Sequence, residues 1–134
     1  MHYLLDTNII SELIRRPRGR VAERIRAVGE DAVRTSIIVA AELRFGALKL
    51  GSARLTERLE AVLGALEIVP FEGPADAIYG RVRARLEQAG TVIGGNDMLI
   101  AAHALALRDT VVTDNMRESG RVEGLLVENW LRDE

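Results

Sequence analysis

The stretch that decides the fold is "YLLDTNII", residues 3–10. Three residues typical of a short buried strand run directly into a carboxylate, Asp6, and a second apolar run begins after Thr7 and Asn8. A strand that passes straight into a helix predicts the first unit of an α/β fold. Asp6 itself has two interpretations: it caps the helix, or it is a metal ligand at the end of the strand.

The rest of the chain repeats this alternation of β-rich runs and helical periods, which predicts an α/β fold with a mainly parallel sheet of about five strands. The predicted strands are residues 3–5, 32–35, 67–71, 110–113 and 125–129. Six helices are predicted. Three have the ranges 8–15, 37–50 and 96–108; of the other three, one ends at Gly29, one is capped by Ser52, and one runs from Pro74 to Gly90. Two of the helices between Arg18 and Leu66 are expected to pair beside the sheet. No linker or repeat interrupts residues 1–134, so we expect one domain.

Composition excludes several classes of function. The 134 residues include no cysteine, so disulfides, thiolate catalysis and cysteine-bound zinc are ruled out. A net charge of −2 is not that of a polycation that binds phosphates indiscriminately. With no signal-peptide pattern and no apolar run long enough for a membrane span, we expect a soluble, cytoplasmic protein without membrane contact.

Arginine is concentrated near the N-terminus. All 18 basic residues except Lys49 are arginines, and one segment carries a cluster of six: Arg15, Arg16, Arg18, Arg20, Arg24 and Arg26. Guanidinium groups suit phosphate oxygens, yet a charged run more often marks a solvated helix face. One Trp, two Tyr and two Phe are too few for an aromatic platform that stacks single-stranded bases.

Four acids stand in apolar surroundings, where an unpaired carboxylate is costly. Asp6 and Asp114 directly follow predicted strands, Glu42 lies inside "IIVAAELRFG", and Asp97 opens the helix "NDMLIAAHALAL". Each has an ordinary explanation alone: a cap for Asp6, a helix-dipole partner for Asp97 beside a capping Asn96, and a turn residue for Asp114. Glu42 is the hardest to explain in this way, and the four together require a common cause.

The topology supplies that cause. The carboxyl ends of parallel strands, and the starts of the helices that run back beside them, meet at one edge of a sheet, where ligands bind. Asp6, Asp97 and Asp114 are therefore expected at one cleft, into which Glu42 can project. A hard cation such as Mg²⁺ or Mn²⁺ would relieve their repulsion. Such an ion can activate water against a phosphodiester.

Other chemistry fits poorly. His103, in an alanine-rich helix, is expected to be packed and hydrogen-bonded, and no histidine pair has the spacing of a zinc site. The glycines of "GTVIGG" form neither a GxGxxG motif nor a P-loop, and no serine–histidine–acid order suggests a triad.

Four motifs, in order along nearly the whole chain, carry a family resemblance. "YLLDTNIISEL", "TSIIVAAELRFGA", "IGGNDMLIAAHALAL" and "VVTDNMRESGRVEGLLVENW" resemble the four motifs of PIN-domain ribonucleases. The sequences of these motifs are most similar to those of the VapC-type toxins of bacterial type II toxin–antitoxin pairs, including the plasmid-stability branch.

The resemblance implies a PIN-like α/β/α sandwich and a Mg²⁺- or Mn²⁺-dependent endoribonuclease. It further implies a homodimer that acts on RNA and is blocked by a cognate antitoxin protein. Carried over by motif, Asp6 and Asp97 are the chief metal ligands, Glu42 completes the acidic cluster, and Asp114 is an outer member for which relatives often carry asparagine. Three polar residues are expected to orient the carboxylates through hydrogen bonds: Thr7, Asn8 and Thr113.

Three alternatives compete with this interpretation. A receiver-like signalling domain needs adjacent acids after the first strand and a late lysine, whereas Lys49 is misplaced. A phosphohydrolase of the haloacid-dehalogenase kind needs a second aspartate at position 8, which is Asn8. A catalytically inert PIN-fold interaction module stays open, although all four acids are intact, and metal-dependent cleavage separates it from an enzyme.

Overall fold

A computed structural model describes residues 1–132 and has a five-stranded, fully parallel sheet at its centre. The strand order is β3-β2-β1-β4-β5, so the first strand of the chain lies in the middle. The strands are β1 Tyr3–Leu5, β2 Val33–Ser36, β3 Glu67–Val69, β4 Thr110–Val112 and β5 Val127–Glu128. The predicted α/β class and the parallel five-stranded sheet are therefore confirmed.

Helices connect successive strands, as parallel pairing requires. Their bounds are α1 Thr7–Arg15, α2 Arg20–Val28, α3 Ile37–Leu50, α4 Ala53–Ala65, α5 Ala75–Ala89, α6 Gly95–Leu107 and α7 Met116–Ser119. A 3-10 turn, Glu30–Ala32, precedes β2. The expected pairing of helices beside the sheet is found between α3 and α4, which contact each other across the short connection through Gly51 and Ser52.

The core consists of two groups of buried side chains. The larger one surrounds β1, where Leu4 and Leu5 are fully buried, and it continues into α1, α3 and α4. The smaller one joins α5 to α6 and includes Leu86, Met98 and Val122. Helix α6 contributes to both groups: Ile100 and Ala104 belong to the larger one, while Met98 and Ala101 belong to the smaller one.

Element boundaries differ from the prediction where one residue has a specific local role. The third strand ends at Val69 rather than at residue 71, because Pro70 has no N–H to donate. Ser36 is both the last residue of β2 and the N-cap of α3, since its hydroxyl accepts from the Ile38 N–H at 3.0 Å. The short helix α7 was not predicted.

Two predicted helix starts shift by a residue or two. α1 begins at Thr7, with Asp6 as its N-cap. α6 begins at Gly95 after Gly94, so Asn96 is not the cap that the sequence suggested and its amide is free for another contact. Within residues 1–132, no helix has both the length and the apolar character needed to cross a membrane.

Candidate active site

A cleft of about 410 Å³ opens at the edge of the sheet where β1 and β4 end. All four predicted acids line it, together with two of the predicted polar residues. The lining residues are Asp6, Thr7, Asn8, Ser11, Arg15, Glu42, Asp97, Asp114, Asn115 and Leu131. The acids therefore come to one place from separate parts of the chain, as the sheet topology predicted.

Asp6 is buried and tightly held at the end of β1. Its backbone N–H donates to the Val112 carbonyl at 2.9 Å, which ties it to the neighbouring strand β4. Its carboxylate accepts from the Thr7 N–H at 2.7 Å and from the Thr113 hydroxyl at 2.8 Å. Asp6 is thus both the N-cap of α1 and a member of the acidic cleft, so the two interpretations of this residue are compatible.

Glu42 projects from the second turn of α3 and is fixed at both carboxylate oxygens. The Thr7 hydroxyl donates to one oxygen at 3.1 Å, and the Asn96 amide donates to the other at 2.9 Å. These bonds connect α3 to α1 and to the start of α6. They explain how a partly buried carboxylate is accommodated on α3.

Asp97 lies half-buried in the first turn of α6 and carries the strongest electrostatic signal in the cleft. Burial, followed by the negative charge of Asp6, contacts with Glu118 and the charge of Glu42, raises the pKa of Asp97 to about 6. Desolvation and like charges both disfavour the ionised form of a carboxylate. Burial and the neighbouring negative charges therefore act on Asp97 in the same direction.

Asp114 has a different environment from the other three acids. Its Oδ1 accepts from Arg132 Nε and from the Asn129 amide, each at 2.9 Å. The hydrogen bond from Arg132, with the one from Asn129, lowers the pKa of Asp114. Asp114 lines the cleft, but its charge already has a partner.

The three polar residues expected to orient the carboxylates make hydrogen bonds at this edge. Thr7 and Thr113 donate to Glu42 and Asp6, respectively. Asn8 accepts from the Asp114 backbone N–H at 3.1 Å, so it holds the loop after β4 rather than a carboxylate.

The donor set suits a hard divalent cation. Carboxylate oxygens of Asp6, Glu42 and Asp97, surrounded by threonine and asparagine side chains, are the ligand type that Mg²⁺ and Mn²⁺ prefer. In the described part of the chain, no three acidic or histidine side chains are drawn together closely enough to enclose an ion.

His103 is a structural residue, as expected. It is 2% exposed, and its Nε2 and Nδ1 lie 3.1 Å from the Pro70 carbonyl and 2.8 Å from Ser36 Oγ, respectively. A carbonyl can only accept, so Nε2 carries the proton and Nδ1 accepts from the serine hydroxyl. Burial lowers the pKa of His103.

Several residues of the site were not singled out from the sequence. Asn96 and Asn115 donate to Glu42 and Asp97, the second at 3.4 Å, and Glu118 contacts Asp97 from α7. Asn129 and Arg132 fix Asp114. Asn96 and Asn115 are sequence neighbours of candidate acids, which was a usable signal, whereas Asn129 and Arg132 reach the site only through tertiary contacts.

The fold and the acidic cleft define a PIN-domain protein, and the model of the family described as "PIN domain" matches residues 3–119. Among curated relatives, "Ribonuclease VapC2" of Rickettsia felis is 37% identical over 132 residues, covering 97% of this chain and 98% of its own. "tRNA(fMet)-specific endonuclease VapC" of Salmonella typhimurium is 32% identical over 131 residues, covering 97% and 98%.

A solved structure of VapBC2 from Rickettsia felis, bound to a DNA fragment from its promoter, superposes with a TM-score of 0.89. Its matching chain is 36% identical, and the match covers 97% of this chain and 99% of that one. The chain described here therefore belongs to the VapC ribonucleases, the toxin components of VapBC toxin–antitoxin systems.

Proposed function

We propose that this chain hydrolyses RNA phosphodiester bonds in its acidic cleft, with Asp6, Glu42 and Asp97 as the residues that hold Mg²⁺ or Mn²⁺. The observation that carries the proposal is that these three carboxylates, which come from separate parts of the chain, line one cleft. The raised pKa of Asp97 agrees with it. A purely structural cluster would be expected to contain its own counter-charges, as Asp114 does with Arg132.

A bound divalent ion would supply charge neutralisation and an activated water in the cleft. The chain's own residues have supporting roles. Thr7 and Thr113 keep Asp6 in a single orientation, and Thr7 with Asn96 does the same for Glu42. Side chains held by such outer hydrogen bonds give a preorganised anionic site. Asp114 has a separate role, because it fastens the loop after β4 to the C-terminal segment through Arg132 and Asn129.

For the substrate, we propose transfer RNA as the first candidate. The support is the Salmonella typhimurium relative, whose name specifies a tRNA(fMet) endonuclease and which matches nearly the full length of this chain. The residues of the cleft do not themselves distinguish transfer RNA from other looped or single-stranded RNA, whose recognition depends on groove shape and a few contacts.

For partners, we propose a cognate antitoxin protein and a homodimer. The antitoxin is supported by the VapBC complex described above. Helix α3 also exposes three apolar side chains: Phe45, Leu48 and Leu50 are 66%, 77% and 73% exposed. Exposed apolar patches commonly mark protein contacts, so this face favours binding of the antitoxin or of a second copy of the chain. Sedimentation of the antitoxin-free chain tests the dimer directly: a monomer mass at all concentrations would contradict it.

The first experiment is RNA cleavage by purified, antitoxin-free chain. We expect discrete fragments from total cellular RNA with Mg²⁺ or Mn²⁺, no fragments with EDTA, and a loss of roughly a hundredfold or more in Asp97→Asn. Sequencing the fragment ends then tests the transfer-RNA proposal.

The matched control is Asp114→Asn, which changes an acid of the same cleft whose charge is already paired, and we expect it to retain most activity. Intact RNA under every condition, from protein shown to be folded, would support the inert interaction module. Equal cleavage by Asp97→Asn and the unmodified chain would contradict the assigned site.

A further inference from the structure

One face of α1 forms a polar stripe along the cleft. Thr7, Ser11 and Arg15 are spaced four residues apart, so they lie on the same side of the helix, and all three line the cleft. At 1.5 Å of rise per residue, Arg15 lies about 12 Å along the helix from Thr7. The stripe therefore starts beside the acids, where Thr7 contacts Glu42, and ends in a cation.

The charge of Arg15 is only partly compensated. Arg15 and its neighbour Arg16 both contact Glu12, and one carboxylate cannot neutralise two guanidinium groups. Arg16 Nη1 reaches both Glu12 oxygens, at 2.9 and 2.8 Å, whereas Arg15 has a single contact at 3.1 Å. The Arg15 side chain is 68% exposed, and such exposed pairs are weak enough to be exchanged for another anion.

Ser11 adds a second available donor to the stripe. It is half-buried between Thr7 and Arg15, and its hydroxyl makes no hydrogen bond within residues 1–132. A serine hydroxyl is one of the side-chain groups that bind phosphate oxygens. Ser11 thus presents an unpaired hydroxyl, and Arg15 a guanidinium with a single exposed contact, on one surface of the cleft.

A polyanion needs such donors in order to enter this cleft. The chain has a net charge of −2, and three carboxylates line the place where hydrolysis is proposed, so RNA must be held by local cations. Arg132, on the cleft's C-terminal side, is paired with Asp114. We propose that Arg15, assisted by Ser11, binds an RNA phosphate adjacent to the one that is cleaved. This assignment rests on the proposed function and makes Arg15 a positioning residue.

The test compares Arg15→Gln with Arg16→Gln. Both remove one charge, both lose contact with Glu12, and the two native side chains are similarly exposed, at 68% and 64%. Of these two arginines, only Arg15 lines the cleft. The binding of fluorescein-labelled transfer RNA is measured by anisotropy over a range of salt concentrations, in an Asp97→Asn background so that the probe stays intact.

We expect Arg15→Gln to weaken RNA binding about tenfold and to lower the salt slope by about 0.7, the value for one phosphate contact on a single strand. Arg16→Gln should change neither quantity, and Arg15→Lys should recover most of the affinity because it restores the charge. With Asp97 intact, Arg15→Gln should raise KM about tenfold while kcat changes little, as expected for lost binding away from the reacting atoms.

Equal losses of RNA affinity in Arg15→Gln and Arg16→Gln, or no loss in either, would overturn the assignment of Arg15. The proposed function would still stand if the unmodified chain cleaves RNA. Unchanged RNA binding together with a weakened antitoxin complex would assign Arg15 to a protein partner instead, and would likewise overturn it. If the unmodified chain neither binds nor cleaves RNA, both proposals fail.

Discussion

Asp6 combines two roles at the residue scale that are usually given to different side chains. As an N-cap it satisfies a free N–H of α1, and as a buried carboxylate it faces the cleft. Asparagine caps a helix about as well as aspartate, so the charge at this position can be removed without losing the cap. The structural and the chemical contributions of Asp6 are therefore separable by one substitution.

The different environments of Asp97 and Asp114 predict different effects on stability when each acid is neutralised. With its pKa raised from 3.8 to about 6, Asp97 is ionised less readily in the folded chain than in the unfolded one. Its contribution to folding stability therefore falls as the pH rises from about 4 through 6. In metal-free buffer at pH 7.5 we expect Asp97→Asn to raise the melting temperature by several degrees, because it removes repulsion and desolvation cost.

Asp114→Asn is the matched control, since the pKa of Asp114 is lowered by Arg132 and Asn129. Neutralising Asp114 should leave the melting temperature unchanged or slightly lower. The ion pair that is lost is weak, because the Arg132 side chain is exposed to solvent. The measurement is thermal unfolding with EDTA at pH 7.5 and at pH 4, where the advantage of Asp97→Asn should disappear. A lower melting temperature for Asp97→Asn at pH 7.5 would contradict a raised pKa of Asp97 in the folded chain.

At the scale of single elements, the end of α6 contains a backbone position that suits glycine better than its present residue. Arg108 has φ 61°, in the left-handed region, whereas the helix ends at Gly51 and Gly90 use glycine for the same conformation. We expect Arg108→Gly to stabilise the fold by about 0.5–1 kcal/mol, the left-handed cost minus the extra chain entropy of glycine.

Urea unfolding with an unchanged m-value measures that gain. Gly51→Arg is the reciprocal control at φ 66°, and a loss of similar size is expected there. If Arg108→Gly were less stable than the unmodified chain, the contacts of the arginine side chain would outweigh the backbone strain.

The sequence predicted elements well where hydrophobic period and capping agree, and less well where one residue serves two elements. Helix α4 follows its Ser52 cap, while Ser36 belongs to a strand and caps the next helix, which shifted β2 by a residue. Helix α7 has only four residues, too few to show a period.

In the site, sheet topology was sufficient to predict one cleft for Asp6, Asp97 and Asp114, whereas for Glu42 it predicted only that the side chain could project there. Sheet topology did not predict the ion pair between Arg132 and Asp114, because that contact depends on the path of the chain after β5.

At the scale of the whole molecule, His103 joins three parts of the fold. From α6 it bonds Ser36 at the β2–α3 junction and Pro70 after β3. Burial lowers its pKa from 6.5, so the folded chain favours the neutral ring and loses stability as the pH falls below about 6.5, where the unfolded chain takes up a proton. We expect the stability advantage of the unmodified chain over His103→Gln to shrink between pH 7.5 and 5.5.

Urea unfolding at several pH values measures this difference, and the imidazole proton signal of the folded chain follows the titration itself. A stability difference that stays constant over this range would show that the ring is equally easy to protonate in both states.

The central position of β1 has a consequence for a toxin that is being synthesised. The Thr113 hydroxyl that holds Asp6 lies 107 positions later in the chain, and β1 pairs on one side with β4. At about 5–20 residues per second, a ribosome needs on the order of ten seconds to make the intervening stretch. Asp6 is therefore synthesised well before the residues of β4 and Thr113 that hold it in the cleft. A cleft that needs these contacts cannot form before that stretch has been made, which leaves an interval in which an antitoxin can already be present.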